Sequence, residues 1–497
     1  MSATLPVLLA APAAGALVLA AAPLSDRVAR VVGVVVTAAA LLVSIVLAAG
    51  FDYGHGARLQ DVVDVSWLPS LDVRFHLGVD GISLPLILLT TLLALLCAVH
   101  TVGSVPEPGR PRQLLALMLV LEVGVLGTFA AADLVVFFVF FEIVLIPMFF
   151  LINTWGGPQR RAAAVKFILF TLLGSALMLV GFLVIYAQAG TFDMVRLGQE
   201  HGDKIGASAQ LLAFLLLMLG FGIKSPMWPL HTWLPDAHTE APTIGSVLLA
   251  GVLLKMGTYG LIRIAVDEVP DGARRVAPAL AVLAVVGIGY AALACLAQRD
   301  LKRLVAFSSV GHMGFVLLGI ATLTPIGIQA ALIGNIAHGV ITGLLFFLAG
   351  AIKERFHTSD FEELGGGLLA KLPTIGGVVL FAAIASLGIP GLAGFWGEML
   401  AMLGAYSPGA GLSRGLFVTL MAIAGVGTVL TTVYFLAMLR RMDFGVVSDR
   451  WRDTAVRDVA VADVVAWTPL VVLAVAIGLW PRLVLSVGEA AVTGLLR

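Results

Sequence analysis

The stretch LLAFLLLMLGFGIKSPMWP, residues 211–229, decides the fold class of this chain. It begins as an apolar run and then reaches a lysine, Lys224, and two prolines, Pro226 and Pro229. The run predicts a helix in lipid. Because proline has no backbone N–H and strains the preceding turn, the helix is expected to break beside Lys224. A broken helix beside a buried lysine is typical of ion sites in transporters.

The composition of the whole chain agrees with a membrane protein. Of its 497 residues, 60% are apolar even without glycine, and 12% are charged. Soluble domains average roughly 45–50% apolar residues with glycine included and about 25% charged residues. The 30 basic and 30 acidic residues balance, so nothing indicates a nucleic-acid partner. We therefore predict an integral membrane protein that contacts the lipid bilayer and binds no nucleic acid.

Apolar runs long enough to cross the bilayer recur along the whole length, about fourteen in number. We number them spans 1 to 14 and predict an all-α, multi-pass membrane protein. The runs are centred near residues 12, 40, 93, 121, 143, 175, 219, 252, 287, 312, 340, 385, 427 and 471. The longest polar connections lie near residues 51–79, 189–208, 354–373 and 441–460, and the tail after Pro481 is expected to form a short interfacial helix.

The placement of charge predicts the orientation of the chain. The first apolar run has no basic residue before it, whereas Asp26, Arg27 and Arg30 follow it directly. This order indicates an uncleaved first span with its N-terminus outside, rather than a signal peptide. Most basic residues of the connections then fall on the cytoplasmic side, and both termini are predicted to lie outside.

Spans 7 and 12 share a construction. Gly388-Ile389-Pro390-Gly391 interrupts span 12, and Glu398 follows it. Because the two broken spans are five apart, we predict two inverted five-helix repeats, spans 4–8 and spans 9–13. The predicted organisation is residues 1–112 for spans 1–3 with an outside loop at 51–79, residues 113–266 for the first repeat, residues 276–440 for the second repeat, and residues 441–497 for a cytoplasmic connection, span 14 and an outside tail.

Several ionisable residues lie inside apolar runs, where an ionised side chain costs at least about 2.5–3.5 kcal/mol on insertion scales. They are Glu122, Glu142, Lys224, Lys255 and Glu398. Such groups must face one another or a wet cavity, and we predict that they conduct protons. The alternative for each is a snorkelling side chain or a static ion pair.

Two histidines, His312 and His338, lie in spans 10 and 11 and add groups that titrate near neutral pH. A proton relay, a hydrogen-bonded packing role and haem ligation are the three interpretations. Haem ligation would need paired histidines on facing helices, and nothing in the sequence favours it over a relay. His231 and His238 lie in the polar stretch that joins spans 7 and 8.

The sequence offers no binding motif for a redox cofactor. The two cysteines, Cys97 and Cys295, lie in apolar stretches and are expected to pack as small hydrophobic side chains. No CxxC pair, P-loop or GxGxxG motif opens a helix. We therefore expect no iron–sulfur cluster, nucleotide, flavin or metal in this chain, so the energy that drives protons must come from elsewhere.

Three segments carry a resemblance to a known family: WPLHTWLPDAHTEAPTIGSVLLAGVLLKMGTYG (228–260), QRDLKRLVAFSSVGHMGF (298–315) and GIPGLAGFWGEML (388–400). They closely resemble the proton-pumping membrane subunits of respiratory complex I, a family that includes the Mrp-type cation/proton antiporter subunits. The resemblance runs from about Leu77 to Phe444. It implies a charge pair of Glu142 and Lys224, a central relay at Lys255, a polar axis through His312 and His338, and an outlet group at Glu398.

Glu398 also distinguishes the members of this family. Other pump subunits and the related Mrp chain have a lysine at this position, whereas one subunit type has a glutamate. Glu122 and the short C-terminus of this chain also match that subunit type. The resemblance implies a bacterial cytoplasmic membrane and other membrane subunits as partners, including two sister antiporter-like subunits. NADH, FMN, iron–sulfur clusters and quinone would then belong to partner subunits. An Mrp-type antiporter subunit and a structural scaffold with static charge pairs are the alternatives.

Overall fold

The computed structural model describes residues 4–496 of the chain. Within them, thirteen helices are long and apolar enough to cross a membrane, which confirms the predicted multi-pass membrane fold. In chain order these helices are Thr4–Ala21, Asp26–Gly50, Ser83–Gly103, Pro111–Ala130, Leu134–Trp155, Arg160–Ala189, Ala207–Lys224, Thr243–Val266, Pro270–Leu296, Leu301–Ala321, Pro325–Phe356, Arg414–Met442 and Val461–Leu479. They correspond to spans 1–11, 13 and 14.

The two broken spans lie where the prolines predict them. Span 7 ends at Lys224, and a second short helix, Trp233–Glu240, follows the break. Span 12 consists of two half-helices, Pro373–Ser386 and Ala393–Tyr406, and is therefore absent from the set of long helices. The remaining short helices belong to the connections and the tail: Met194–Glu200, Phe361–Leu364, Leu368–Lys371, Asp449–Arg452 and Arg482–Leu495.

The predicted loop at 51–79 contains a β-hairpin, which the all-α prediction missed. Strand β1, Gln60–Leu68, pairs antiparallel with strand β2, Val73–Val79, and Val63 lies opposite Leu77. Valine and aromatic residues favour strands, but short stretches that mix polar and apolar residues do not stand out beside long membrane spans. Within the described residues this hairpin is the one β-sheet, and the other regular elements are helices.

The connections divide between two membrane faces. On the first, which we call the hairpin face, His76 Nδ1 lies 2.9 Å from Asp193 Oδ2, and the tail helix Arg482–Leu495 packs near the start of the hairpin. On the opposite face, the backbone N–H of Thr374 donates to Asp458 at 2.8 Å. An even number of spans brings both ends of the chain to the hairpin face. Which face is the outside stays a prediction.

One backbone junction occurs twice in the chain. An isolated β-bridge joins Asp133 to Asp193, and each aspartate caps the helix that follows it. A second bridge joins Asp300 to Asp360, and these aspartates also cap the helices that follow them. Because five spans separate the junctions, they lie at opposite membrane faces. This arrangement supports the predicted inverted repeats, whose residue boundaries stay predictions.

The helix of span 9 begins before the predicted start of the second repeat. Span 9 begins at Pro270, so the predicted boundary at residue 276 falls inside this helix. Proline suits the first turn of a helix, where its missing N–H has no intrahelical partner to lose. The charged residues Asp271, Arg274 and Arg275 that follow Pro270 made this first turn resemble a connection in the sequence.

Spans 8 and 11 form the centre of the molecule. Nearly all their residues are buried, whereas span 2 exposes most of its surface for lipid. The two central helices approach closely at Gly251 and Gly339, where a Cβ on Gly339 would lie 2.8 Å from the carbonyl oxygen of Gly251. Small residues at such crossings permit close packing of membrane helices. The crossing brings the side chains of these two spans into direct contact.

A buried ion pair ties the hairpin to the central helix. Asp80, which follows β2, accepts hydrogen bonds from the backbone of Ile82 and Ser83, and its Oδ2 lies 3.0 Å from Nη1 of Arg263 in span 8. The Asp80 side chain is 1% exposed and that of Arg263 is 14% exposed. The pair therefore fixes the start of span 3 against the end of span 8.

We expect Asp80→Asn to destabilise the protein by about 3–5 kcal/mol, because it leaves the largely buried Arg263 without its ion-pair partner. Thermal unfolding of the protein in detergent measures this effect. The matched control is Asp64→Asn, which removes an exposed partner of Arg74 from the hairpin and should change stability little. Equal melting temperatures for the two variants would show that the Asp80–Arg263 pair does not hold the helices together.

Candidate functional site

Lys224 closes the first half of span 7 and lies inside the protein. Its side chain is 2% exposed, and its ammonium lies 4.7 Å from the ring centre of Phe141 in span 5, a cation–π distance. Pro226 interrupts the helix, and the free carbonyl of Ile223 accepts a hydrogen bond from Trp233 Nε1 at 2.9 Å. The break is thus sealed by protein, as non-helical backbone at membrane depth requires.

Glu142 lies beside a second irregularity, in span 5. The helix is interrupted after Ile143, because Pro147 has no N–H to donate to the carbonyl of that residue. The Glu142 carboxylate faces Ser175 of span 6 and is within electrostatic range of Lys224. The predicted charge pair is not a direct contact, since among residues 4–496 the Lys224 ammonium has no hydrogen-bond partner.

Lys255 occupies the centre of span 8. It is fully buried, and its ammonium donates to the carbonyl of Ala250 and lies 2.6 Å from Nδ1 of His338 in span 11. The helix widens into a π-helical turn at Leu249–Leu253, next to Lys255. Such turns free backbone carbonyls and often occur at functional sites. The structure therefore joins the predicted relay lysine directly to a predicted histidine.

The line of contacts continues from His338 through the second repeat. The rings of His338 and His312 are 5.9 Å apart between centres, and His312 Nδ1 lies 3.4 Å from Oε1 of Glu398. Thr428 of span 13 donates to the other oxygen of Glu398 at 2.9 Å. Lys255, His338, His312 and Glu398 thus form one file of ionisable groups across four spans.

A small cavity accompanies this file. It has a volume of about 30 Å³ and is lined by His312, His338, Thr342, Ser386 and Glu398 among other residues. A cavity of this size with several polar groups in its lining accommodates one or two water molecules. It provides space for water between the two histidines and the glutamate.

Spans 7 and 8 touch between the two predicted lysines. A Cβ on Gly257 would lie 2.2 Å from the hydroxyl of Ser225, so this glycine lets the broken end of span 7 pack directly on span 8. Lys224 and Lys255 share no hydrogen-bond partner in the described part of the chain. The structure connects Lys255 to Glu398 by direct contacts, whereas Lys224 and Glu142 form a separate group.

Glu122 stands apart from the other predicted residues. It is 1% exposed in span 4, near Cys97 of span 3, and within residues 4–496 neither carboxylate oxygen has a hydrogen-bond partner. A buried carboxylate without partners is costly in its charged form. Its place in a proton path stays a prediction.

The histidines between spans 7 and 8 lie in packed surroundings. The His231 ring lies 5.0 Å from the ring of Tyr290, and the His238 ring stacks on Phe346 at 4.5 Å. Neither ring nitrogen of His238 has a hydrogen-bond partner within the chain as described. On the same membrane face, Lys302 is buried and donates to the carbonyl of Ala241 at 2.6 Å.

Several polar groups near the site were not predicted. Ser175 and Thr428 face the two glutamates, but a single hydroxyl in an apolar helix gives no signal in the sequence. Arg263, which is 14% exposed, and the buried Glu268 lie near the end of span 8, and neither was singled out in the sequence. The spacing of Arg263, two helical turns after Lys255, is the sequence signal by which it could be identified.

Known proteins resemble this chain over most of its length. The chain matches the family model described as NADH:quinone oxidoreductase/Mrp antiporter, transmembrane, over residues 131–431. It is 40% identical to NADH-quinone oxidoreductase subunit M of Rhodobacter capsulatus over 95% of this chain and 92% of the relative. It is also 36% identical to the subunit M of Rickettsia bellii over 88% of this chain and 86% of the relative.

Solved structures share the fold. A chain of respiratory complex I from Thermus thermophilus with bound NADH is 30% identical, with a TM-score of 0.86 and 99% of both chains covered. A chain of the Mrp complex from Dietzia sp. has a TM-score of 0.86 and covers 99% of this chain and 97% of its own length. At 23% identity, the second similarity concerns the fold alone.

Proposed function

The chain belongs to the membrane-subunit family of NADH:quinone oxidoreductases and Mrp antiporters, and we propose that it is a proton-translocating subunit of a bacterial NADH–quinone oxidoreductase. The specific assignment is subunit M, the counterpart of mitochondrial chain 4, since relatives of that name match most of its length. NADH, FMN, iron–sulfur clusters and quinone belong to partner subunits, and this chain carries protons.

One observation carries the proposal: the file of contacts from Lys255 through His338 and His312 to Glu398. Lysine, histidine and glutamate all exchange protons. Their placement at membrane depth is costly, and ionisable residues found there usually serve a function. The file crosses spans 8, 11, 10 and 12, so it joins the two predicted repeats. A static scaffold has no need for a row of titratable groups beside a water-sized cavity.

The separate group of Glu142 and Lys224 supplies the switch in this proposal. The Glu142 carboxylate stabilises the ammonium form of Lys224, whereas burial disfavours that form. Increasing or decreasing the distance between Glu142 and Lys224 therefore changes the proton affinity of Lys224. The proton that Lys224 releases passes to Lys255 and then along the file toward Glu398. Moving one charge through 100 mV takes about 2.3 kcal/mol, and the redox reaction in the partner subunits supplies the energy that drives this rearrangement.

Glu142 also supports the presence of partner subunits. Its side chain is only partly buried, although it lies at bilayer depth. Contact between lipid and the exposed part of an ionisable side chain is strongly disfavoured, so a neighbouring protein surface must cover that part. We assign this role to another membrane subunit of the complex, one of the two sister antiporter-like subunits.

The orientation of the chain in the cell membrane follows from its basic residues. Arg440, Arg441, Arg450 and Arg452 lie at the face opposite the hairpin, around the connection between spans 13 and 14. Because cytoplasmic connections carry an excess of lysine and arginine, we assign this face to the cytoplasm and the hairpin face, with both termini, to the outside.

Purification of the tagged chain in mild detergent tests the proposed function. We expect NADH-oxidising subunits with iron–sulfur signals to copurify with it, together with further membrane subunits. Copurification of membrane subunits alone, without redox centres, would identify an Mrp-type antiporter complex and refute the assignment. A tagged but unrelated membrane protein of the same cell serves as the control for non-specific capture.

A further inference from the structure

We propose that Glu268 is a proton-exchange carboxyl at the hairpin face, joined to Lys255 by a column of polar side chains on span 8. The proposal rests on the proposed function and extends it. It gives Lys255 a second route to a membrane face, in addition to the file that leads to Glu398.

Glu268 is the first observation behind this proposal. Its side chain is 1% exposed, and neither carboxylate oxygen has a hydrogen-bond partner within residues 4–496. Buried polar atoms are nearly always hydrogen-bonded, so an unpartnered carboxyl needs an explanation. Burial, reinforced by the negative charge of Asp267, raises the pKa of Glu268 well above its ordinary value. The residue therefore holds a proton under conditions in which an exposed glutamate is ionised.

A column of ionisable residues leads from the centre of the membrane to this glutamate. Lys255, Tyr259, Arg263 and Asp267 follow one another at intervals of four residues along span 8, and Arg263 lies within electrostatic range of both Tyr259 and Asp267. The Tyr259 hydroxyl lies inside the protein, where it donates to the carbonyl of Phe129 at 3.0 Å. The column thus begins at the relay lysine and ends one residue before Glu268.

The backbone of span 8 changes along this column. A second π-helical segment, Leu261–Val266, surrounds Arg263, in addition to the one beside Lys255. π-helical turns are rare and occur frequently at functional sites. Arg263 itself remains charged, because guanidinium groups do not release protons in proteins. It therefore acts as a positioning residue whose charge favours proton release from nearby carboxyls.

The column ends at an open vestibule on the hairpin face. This cavity has a volume of about 550 Å³, and Arg263, Asp267, His76 and His201 are among the residues that line it. Burial raises the pKa of Asp267 to about 6, against the opposing effect of Arg263. A carboxyl with that pKa exchanges protons readily near neutral pH. Asp267 thus joins the buried Glu268 to the water of the vestibule.

The charges around Glu268 come from several elements. Its own helix contributes Arg263 and Asp267, and Asp80, in the loop before span 3, acts on Asp267. Two further carboxylates act on it, Asp133 and Asp193, each of which caps a helix. His76 of the hairpin contacts Asp193, and His201 acts on Asp267. The balance is negative, which favours the protonated form of Glu268.

Chemical labelling tests whether Glu268 holds a proton. Dicyclohexylcarbodiimide enters membranes and reacts with protonated carboxyls, and peptide mass spectrometry of the purified complex locates the product. We expect modification of Glu268 at pH 6 and a decrease of about tenfold for each pH unit above its pKa. The exposed Asp271, on the same face, should stay unmodified at neutral pH. An unmodified Glu268 at pH 6, with other buried carboxyls labelled, would refute the proton on this residue.

A variant series in the assembled complex tests the role of that proton. Glu268→Gln mimics the protonated form in shape and charge. The protein should therefore tolerate this change if Glu268 has a purely structural role. We expect Glu268→Gln to lower the protons moved per NADH oxidised, but by less than Lys255→Ala, which removes both routes, with partial rescue by Glu268→Asp and no change in the control Asp271→Asn. Normal pumping in Glu268→Gln beside impaired Lys224→Ala refutes this route and leaves the proposed function intact. Normal pumping in both variants overturns both proposals.

Discussion

Replacing Lys224 with alanine should slow NADH-driven proton movement through this chain by about 100-fold, the lower end for loss of a positioned proton-transfer group. Lys224 is buried beside the break of span 7, within electrostatic range of Glu142. Alanine removes the proton carrier, while the bond from Trp233 to the free carbonyl of Ile223 still seals the break. The complex should therefore assemble, and Glu142→Ala should reproduce the defect.

The measurement is the proton gradient formed per NADH oxidised in membrane vesicles, with assembly checked on native gels. Lys204→Ala and Glu200→Ala are the matched controls, because these residues form an exposed ion pair on the hairpin face. The double exchange Glu142→Lys with Lys224→Glu separates a switch from a static ion pair. Full activity of this exchange would favour the scaffold alternative, and normal pumping in both assembled alanine variants would refute the roles assigned here.

The sequence predicted the break at Lys224 because its cause is local. Pro226 and Pro229 remove backbone donors within one turn of the lysine, and no tertiary contact restores a helix there. The same reasoning located the break in span 12 before Glu398. The residue that the Lys224 ammonium contacts, Phe141, was not predictable, since it belongs to another helix. The sequence also did not show that Glu142 and Lys224 are not in direct contact.

Contacts between distant spans were predictable only in part. The resemblance implied a polar axis through Lys255, His338 and His312, and the structure brings these side chains together in that order. The 2.6 Å contact depends on the close crossing of spans 8 and 11, which two glycines permit. Glycine is frequent throughout the spans, so its positions do not reveal which crossings are close.

The hairpin face was the least predictable part of the molecule. Asp80 and Arg263 are far apart in sequence and pair only after the hairpin and span 8 have met. Charged residues near the end of an apolar run suggest a solvated connection, whereas Glu268 is buried there. Burial of such groups is a tertiary property, because it depends on what the hairpin and the connection at 190–206 cover.

Lys255→Met should abolish proton transfer along the file and at the same time raise the melting temperature of the protein. The ammonium of Lys255 has no carboxylate partner in the described structure, and it contacts the carbonyl of Ala250 and the ring of His338. A charge at the bilayer centre costs about 2.5–3.5 kcal/mol on insertion scales, and methionine has a similar shape without that cost. Stability gained together with lost activity is the signature of a residue kept for function.

Thermal unfolding and NADH-driven pumping, measured on the same preparation, test this expectation. Thr258→Val is the matched control, because it removes the hydrogen bond to Asn335 between the same two spans and leaves the contact with His338 intact. If Thr258→Val impaired pumping as strongly as Lys255→Met, the defect would lie in the packing of spans 8 and 11 rather than in a lost proton carrier. A Lys255→Met protein that is less stable would instead show that the lysine holds these central helices together.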